Sequence, residues 1–313
     1  MLLYAMRRLL ATIPVMLVVA LVVFALLRLT PGDPALVIAG DLASEEDVAE
    51  IRSRLGLDRP LHVQFVTWIG QLAQADLGVS VFSNMPVSTL IVQRLEPTVS
   101  LAVLTMVLSI MIAVPLGILA AWKAGGAVDR LLMMGATFSL SMPTFLIGYL
   151  LAMLFSRELR WLPVQGYRSI GEGIGPFLSH LAMPAMTLGL VYVALLARMT
   201  RATMIEVLNE DYIRTAHAKG LKSVRILFRH ALKNAAVPVV TTAGLGVALL
   251  IGGVIVTESV FAIPGLGRLT VDAVLRRDYP VIQGVILVFS AAYLVINLLV
   301  DLSYSLFDPR VRY

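Results

Sequence analysis

Leu9 to Leu27 runs for 19 residues without a charged side chain, and five more apolar stretches of comparable length follow it. A bilayer core about 30 Å thick takes roughly 20 apolar residues to cross as a helix rising 1.5 Å per residue, so this recurrence constrains the chain more than any other feature. The later stretches fall at about 98–122, 131–155, 181–197, 236–257 and 281–300. Inside hydrocarbon each backbone N–H and C=O must find a partner within the segment, which favours helices for runs of this length. The chain therefore reads as an all-α polytopic membrane protein with six transmembrane helices and both ends on one side. The fourth stretch is the weakest, with 17 residues and Pro184 inside it. A content of 58% hydrophobic and 14% charged residues agrees, because a soluble 313-residue domain does not need that much apolar matter. A cleaved leader would carry a shorter apolar core and a small-residue cleavage site. The first stretch is instead read as a retained span, with Arg28 snorkelling at its outer end.

The basic residues orient these spans. With the N-terminus cytoplasmic, the inner segments 1–8, 123–130, 198–235 and 301–313 hold 2, 2, 8 and 2 Lys/Arg. The outer loops at 157–180 and 258–280 hold three Arg each, and the long first outer loop, 30–97, has four Arg against nine acids. The positive-inside rule then places both termini in the cytoplasm. Net charge of +5 is thus accounted for by topology, and nucleic acid is not expected as a partner. The organisation expected is residues 1–30 as the N-terminal end and first span and 31–97 as an outer loop. A core holding the remaining five spans follows over 98–301, with a polar loop at 198–235, and then a cytoplasmic tail at 302–313. Within the outer loop, Ser44-Glu-Glu-Asp47 predicts a helix start, and His62 to Gln74 a second helix presenting Phe65, Trp68, Ile69 and Leu72. Pro14, Pro115 and Pro143 sit inside spans and are expected to bend them. Gly244, Ala248 and Gly252 recur every fourth residue in the fifth span, a spacing that lets another helix approach closely.

Catalytic chemistry is sparse. Cysteine is absent, which removes disulfides and thiolate metal sites. No G-x-x-x-x-G-K-[ST] loop or G-x-S-x-G elbow occurs. The four histidines (His62, His180, His217, His230) form no H-E-x-x-H pair, so no metal site is expected. Asn297 and Asp301 lie near the inner end of the sixth span. Glu258 ends the fifth span and reads as an interfacial carboxylate or, with Pro264 and Gly265, as a possible outer gate. A secondary transporter driven by protons would want a buried acid or histidine relay, for which no clear candidate exists. A membrane-embedded hydrolase is disfavoured by the missing site.

The polar island from Arg198 to Ala235 carries eight Lys/Arg against three acids, with apolar residues at helical spacing. Asp211 is expected to cap a helix over Tyr212–Lys219, with Gly220 supplying the left-handed turn that ends it. Ser223 is expected to cap a second helix presenting Val224, Leu227, Phe228, Ala231 and Ala235 on one face. Such a hinged basic pair fits a lever seated in a partner's groove as readily as a hairpin resting on anionic lipid.

Residues Tyr212-Ile-Arg-Thr-Ala-His-Ala-Lys-Gly220, then Arg229-His-Ala-Leu-Lys-Asn-Ala235 and Pro238, resemble the cytoplasmic EAA loop of binding-protein-dependent ABC permeases. Arg214-Thr215-Ala216 stands where the general pattern has Glu-Ala-Ala, and the distance from Gly220 to Pro238 is longer, both as in the peptide branch. Pro31-Gly-Asp-Pro34, Leu55-Gly-Leu-Asp58, Asp76-Leu-Gly78 and Trp161-Leu-Pro163 with Gly166 agree with it. So do Phe261-Ala-Ile-Pro-Gly-Leu-Gly-Arg268, Arg277-Asp-Tyr-Pro280 and the ending Asp308-Pro-Arg-Val-Arg-Tyr313. The chain resembles the B-type permease subunit of the dipeptide/oligopeptide/nickel family, some members of which are assigned to glutathione.

That resemblance implies a type I ABC importer permease fold with a cytoplasmic coupling helix, in the bacterial inner membrane. It implies a second homologous permease subunit, two ATP-binding subunits that hold ATP and Mg, and a periplasmic or lipid-anchored solute-binding protein, with lipid around the spans. No cofactor and no catalytic residue is then expected on this chain. Arg214, Thr215, Ala216, Lys219, Gly220 and Leu221 would form the coupling segment, pushed when the ATPases close on ATP and reset on hydrolysis. The cargo is expected to be a di- or oligopeptide or a glutathione-like molecule, with nickel or another small solute as the alternative.

Overall fold

The structure is a computed structural model that describes residues 2–29, 34–39, 43–54 and 56–307. Pro31 to Asp33, Leu55, the Asp308–Tyr313 ending and the side chain of Ala248 lie outside the described residues. Thirteen α-helices follow one another among the described residues. They are α1 (Leu2–Leu29), α2 (Pro34–Ala39), α3 (Glu45–Arg54), α4 (Leu61–Ala73), α5 (Val87–Trp122), α6 (Ala127–Ser141) and α7 (Thr144–Leu151). Next come α8 (Ile174–Leu208), α9 (Asp211–Ala218), α10 (Ser223–Arg225), α11 (Leu232–Val260), α12 (Leu266–Arg276) and α13 (Tyr279–Phe307). Two π-helical stretches continue these helices, Ala152–Glu158 after α7 and Ile226–Ala231 between α10 and α11.

By length and composition, three helices among the described residues are long and apolar enough to cross a membrane: Val87–Trp122, Ile174–Leu208 and Tyr279–Leu302. Counting each bent pair as one span adds Ala127–Ser141 with Thr144–Glu158, bent by 103°, and Ser223–Val247 with Gly252–Val260, bent by 55°. The first expected span falls within α1, whose apolar stretch is Leu10–Leu26. At Pro143 the chain does more than bend. Met142 is extended (φ −86°, ψ 133°), as a residue before proline prefers, and the helix stops and restarts. Pro115, Pro184 and Pro238 are accommodated inside continuous helices. The weakest expected span becomes a 35-residue helix, because the polar residues after Ala197 continue the same helix to Leu208 instead of leaving it.

The chain divides into two units. The first holds Pro97–Gly267 and the chain from Val295 onward. Its core is built where α5, α8 and α11 meet, with Leu101, Leu181, Met183, Leu188, Tyr192, Leu250, Val254, Phe261 and Ile263 buried together. In a bilayer, lipid tails are as apolar as leucine, so close packing rather than exclusion from water has to hold such helices together. Small residues provide it. A Cβ on Gly117 would lie 2.5 Å from Thr200, and one on Gly253 would lie 2.9 Å from Leu188, both partners belonging to α8. Of the expected packing row, Gly244 does seat a neighbour, with Val300 of α13 at 2.2 Å from a built Cβ, whereas Gly252 faces open space. The approach of α11 to α8 instead uses the offset pair Gly246 and Gly253, against Tyr192 and Leu188. Gly253→Leu is expected to destabilise the folded chain by about 1–3 kcal/mol through overpacking. Gly252→Leu should leave it unchanged. Thermal unfolding of the two variants in detergent checks the contrast.

The second unit holds Leu2–Glu96 and Arg268–Leu294. Ser44 and Asp47 close the start of α3 reciprocally: the Asp47 N–H donates to Ser44 Oγ at 3.2 Å, and the Ser44 N–H donates to Asp47 Oδ2 at 3.0 Å. The Ser44 hydroxyl, donating to Asp47 Oδ2 at 2.6 Å, and then the Ser44 N–H hold the Asp47 carboxyl below its ordinary range. The α4 helix lays Phe65 and Trp68 against Phe24 of α1, with ring centroids 5.3 and 5.8 Å apart. Two motifs distant in sequence converge in this unit. Buried Asp278 accepts from Ser80 Oγ at 2.5 Å and from the Val81 N–H at 3.3 Å. Gly284 lets α13 lie against Val87, where a Cβ would have 2.6 Å of room.

Candidate functional site

The polar island folds into a hairpin seated on the C-terminal ends of α5 and α8. Ile213 and Ala216 of α9 are buried with Ile118 and Ala121 of α5 and Met204 of α8, and with Ile226, Leu227, Ala231 and Ala235 beyond the turn. Leu221 packs against the same cluster. Apolar burial of this kind is worth about 1.5–3 kcal/mol per large side chain facing water, which suits a segment outside the hydrocarbon. Asn234 Nδ2 donates to Tyr212 Oη at 2.6 Å and ties the start of α9 to the base of α11.

Gly220 turns the chain with φ +74°, and its N–H donates to the His217 carbonyl at 2.9 Å. A Cβ there would meet nothing within 4 Å, so backbone conformation rather than crowding calls for glycine. The caps differ from expectation by one residue. Glu210 and Lys222 precede the two helices without side-chain capping, and Asp211 lies in the first turn of α9, paired with Arg214 at 3.1 Å. The second face differs as well. Leu227, Ala231 and Ala235 are buried, joined by Ile226, but Val224 and Phe228 are 63% and 53% exposed. The π-helical turn over 226–231 is the cause, because its wider winding rotates residues before and after it relative to a regular helix. The second helix also runs without a break into α11, whereas Asn209 and Glu210 separate α9 from the end of α8.

Of the expected coupling residues, Arg214, Thr215, Lys219 and Gly220 are exposed, while Ala216 is buried and Leu221 half-buried. Exposed Val224 and Phe228 share their side of the sequence with Lys222, Arg225 and Arg229, also exposed. An apolar pair among cations with nothing among the described residues covering it is a surface that α-helical spacing alone had assigned to the core. Beside the hairpin, Asp129 at the start of α6 is buried and accepts from Arg201 Nε at 2.5 Å and Nη2 at 2.7 Å. This fork locks α6 to α8. The local charge pattern offered no signal for it, since the partners are 72 residues apart.

At the opposite end of α11, Glu258 is 0% exposed and does not sit at an interface as expected. Thr98 Oγ1 donates to Glu258 Oε1 at 2.5 Å and accepts from the Leu266 N–H at 2.8 Å. The carboxylate thereby holds the first turn of α12, where helix N-terminal N–H groups favour negative charge. A Cβ on Gly265 would fall 2.0 to 2.4 Å from that carboxylate, and one on Gly267 would fall 2.6 Å from the Ile255 Cα. Pro264 is exposed between them. The Phe261-to-Arg268 motif is therefore a turn folded over a buried acid. Gly166 joins it, with φ +99° and its N–H donating to the Phe261 carbonyl at 2.9 Å. In the preceding outer segment, the Arg168 guanidinium and the Ser169 N–H hold the Glu172 carboxyl below its usual range. Among the described residues no group of His, Asp and Glu side chains is arranged to hold a metal ion.

Residues 113–313 match the model of the binding-protein-dependent transport system inner membrane component, and residues 1–102 match that of the N-terminal part of such membrane components. The chain is 54% identical over 310 residues to a protein of Sinorhizobium fredii described as a probable peptide ABC transporter permease, covering 99% of each chain. It is 44% identical over 313 residues to the glutathione transport system permease protein GsiC of Salmonella typhimurium, covering 100% of each. Among solved structures, the inward-facing MetNI methionine ABC transporter matches with a TM-score of 0.60 at 16% identity, covering 71% of this chain and 97% of that one. That likeness extends the agreement to the fold of the helical core.

Proposed function

Because the chain belongs to the family of binding-protein-dependent transport system inner membrane components, we propose that it is the permease subunit of an ATP-driven importer of peptides or glutathione-like molecules. It is a multi-pass inner-membrane protein, and its family is one of transport proteins, not of enzymes. A second homologous permease completes the pore, two ATPase subunits supply ATP and Mg, and a solute-binding protein delivers cargo from outside. Both termini and the hairpin face the cytoplasm. Arg214, Thr215, Lys219 and Gly220 meet the ATPase, while Ala216 and Leu221 anchor the segment to α5 and α8. Glu258, Pro264 and Gly265 shape the outer end of the path.

The observation that supports this most is the way the hairpin is held. Its apolar side is fastened to two long helices, its second arm is continuous with α11, and its basic side remains open. Force applied to such an element passes directly into three core helices, which is the mechanical requirement for driving alternating access from a separate chain. A lipid-surface hairpin would instead turn its apolar residues outward to the bilayer. Val224 and Phe228, exposed among cations, extend the docking surface. Phe228→Glu is expected to leave membrane insertion intact and to cut ATP-driven uptake in reconstituted vesicles about tenfold or more, as loss of an aromatic anchor does at other interfaces. Unchanged uptake by Phe228→Glu would confine docking to α9.

Within this function, peptide cargo is favoured over nickel by the relatives and by the absence of a metal-ligating cluster among the described residues. Vesicles containing all subunits, given ATP and a radiolabelled dipeptide or glutathione, test it. Uptake that requires the binding protein and survives collapse of the proton gradient is expected. Uptake that follows the proton gradient while ATP is present would replace this reading with a secondary transporter.

A further inference from the structure

A cavity of about 360 Å³ opens in the second unit, among α1, α4 and the start of α13. That volume suits a ligand of amino-acid to dipeptide size. Arg28 and Arg59 both line it, and no acidic side chain among the described residues does. Gln64 organises the two arginines. Its Oε1 accepts from Arg28 Nε at 2.9 Å, and its Nε2 donates to the backbone carbonyls of Arg59 at 2.7 Å and Leu57 at 3.2 Å. With Nε so engaged and the guanidinium carbon 4.8 Å from the centre of the Phe24 ring, Arg28 is held in place and presents its terminal Nη edge. A planar edge of that kind matches a carboxylate or phosphate with two parallel hydrogen bonds.

The opposite wall supplies a second, independent sign. Tyr279 and Gln283 lie four residues apart on α13, both line the cavity and both are 7% exposed. The Tyr279 hydroxyl and the Gln283 amide nitrogen have no hydrogen-bond partner among the described residues. Buried polar groups are normally satisfied, and leaving one orphaned is costly. Two orphaned groups able to donate, beside the fixed Arg28 guanidinium and the exposed side chain of Arg59, describe a complement to an oxyanion.

We propose that this cavity binds a compact organic oxyanion. The Arg28 edge takes its charged group, Arg59 adds a second cation, and the Tyr279 hydroxyl and Gln283 amide donate to its remaining oxygens. The oxyanion is either the carboxylate of a small free molecule or the phosphate of a lipid headgroup, since the cavity lies beside the end of α1. All residues of the site belong to the second unit.

The test uses the full-length chain in phosphatidylcholine nanodiscs, with glycylglycine and its C-terminal amide as calorimetric probes. Native mass spectrometry follows lipid retained from discs that also contain phosphatidylglycerol. A free carboxylate as ligand predicts saturable binding of glycylglycine, weakened about tenfold or more by amidation and by Arg59→Gln, each of which removes a charge from the pair. Tyr279→Phe should weaken it about two- to fivefold without lowering thermal stability, because the hydroxyl it removes has no partner in the empty site. A lipid headgroup as ligand predicts retained phosphatidylglycerol that is lost in Arg59→Gln and that blocks glycylglycine. Binding of either probe that survives Arg59→Gln would overturn the proposal, as would the absence of both peptide binding and Arg59-dependent lipid retention.

Discussion

Gly220→Pro should abolish ATP-driven uptake while the subunit still inserts and assembles. Proline fixes φ near −65°, whereas the turn needs φ +74°, and it removes the N–H that bonds the His217 carbonyl. A bias of about 3 kcal/mol against the native hairpin corresponds to a factor of roughly 100 in its population. Gly220→Ala separates conformation from size. Nothing lies within 4 Å of the added methyl, so its cost is the left-handed penalty alone, about 1–2 kcal/mol. Gly220→Asn, with a side chain that tolerates this region, should keep most of the transport. The order Gly, Asn, Ala, Pro in uptake, at equal membrane abundance, identifies the turn as the functional element. Equal uptake across the series would remove Gly220 from coupling.

The largest effect on folding is expected at the other end of α11. Gly265→Val puts branched carbon into the space of the Glu258 carboxylate, which even one Cβ would approach to 2.0 Å. Neither the buried acid nor the turn above it can yield without breaking the bonds from Thr98 and to Leu266. Destabilisation of about 3 kcal/mol or more is expected, enough to lower the amount of folded protein severalfold. Glu258→Ala removes the clash partner together with the acceptor that Thr98 Oγ1 uses, costing about 1–3 kcal/mol by itself. In the double variant Gly265→Val with Glu258→Ala the added carbons gain the carboxylate's space, so the combined loss should fall short of the sum of the two single losses. Yield and thermal unfolding of the four proteins measure this directly. Full additivity would mean that residues 258 and 265 do not meet.

These two regions also show what could be read without coordinates. The hairpin was legible because its signals are local: helical spacing from Ile213 to Ala216, glycine where the chain must turn left-handed, and a run of cations between apolar stretches. The capping of α3 by Ser44 and Asp47 was legible for the same reason. Burial of Glu258 was not, because the hydroxyl that satisfies it comes from Thr98, 160 residues away. The exposed positions of Val224 and Phe228 were hidden by the π-helical turn, which breaks the period that a sequence pattern assumes. Likewise the row Gly244, Ala248 and Gly252 announced a close helix contact, but α11 turns Gly246 and Gly253 toward α8. Four-residue spacing marks a face without saying which neighbour will occupy it. Asp278 beneath Ser80 belongs to the same class: a short motif visible in the chain, whose partner lies 198 residues away.

The central claim is that the open side of the hairpin is where a separate ATPase takes hold. The chain has no cysteine, so a single introduced thiol reports on its own position. Lys219→Cys and Phe228→Cys, each in the assembled transporter, should crosslink to the ATPase subunit through a short bifunctional reagent. Yields should change when ATP is bound, whereas Ile170→Cys in an outer loop should give no such product. Crosslinking of Lys219→Cys and Phe228→Cys only to lipid or to the neighbouring permease, in a complex that still hydrolyses ATP and imports its cargo, would contradict the claim.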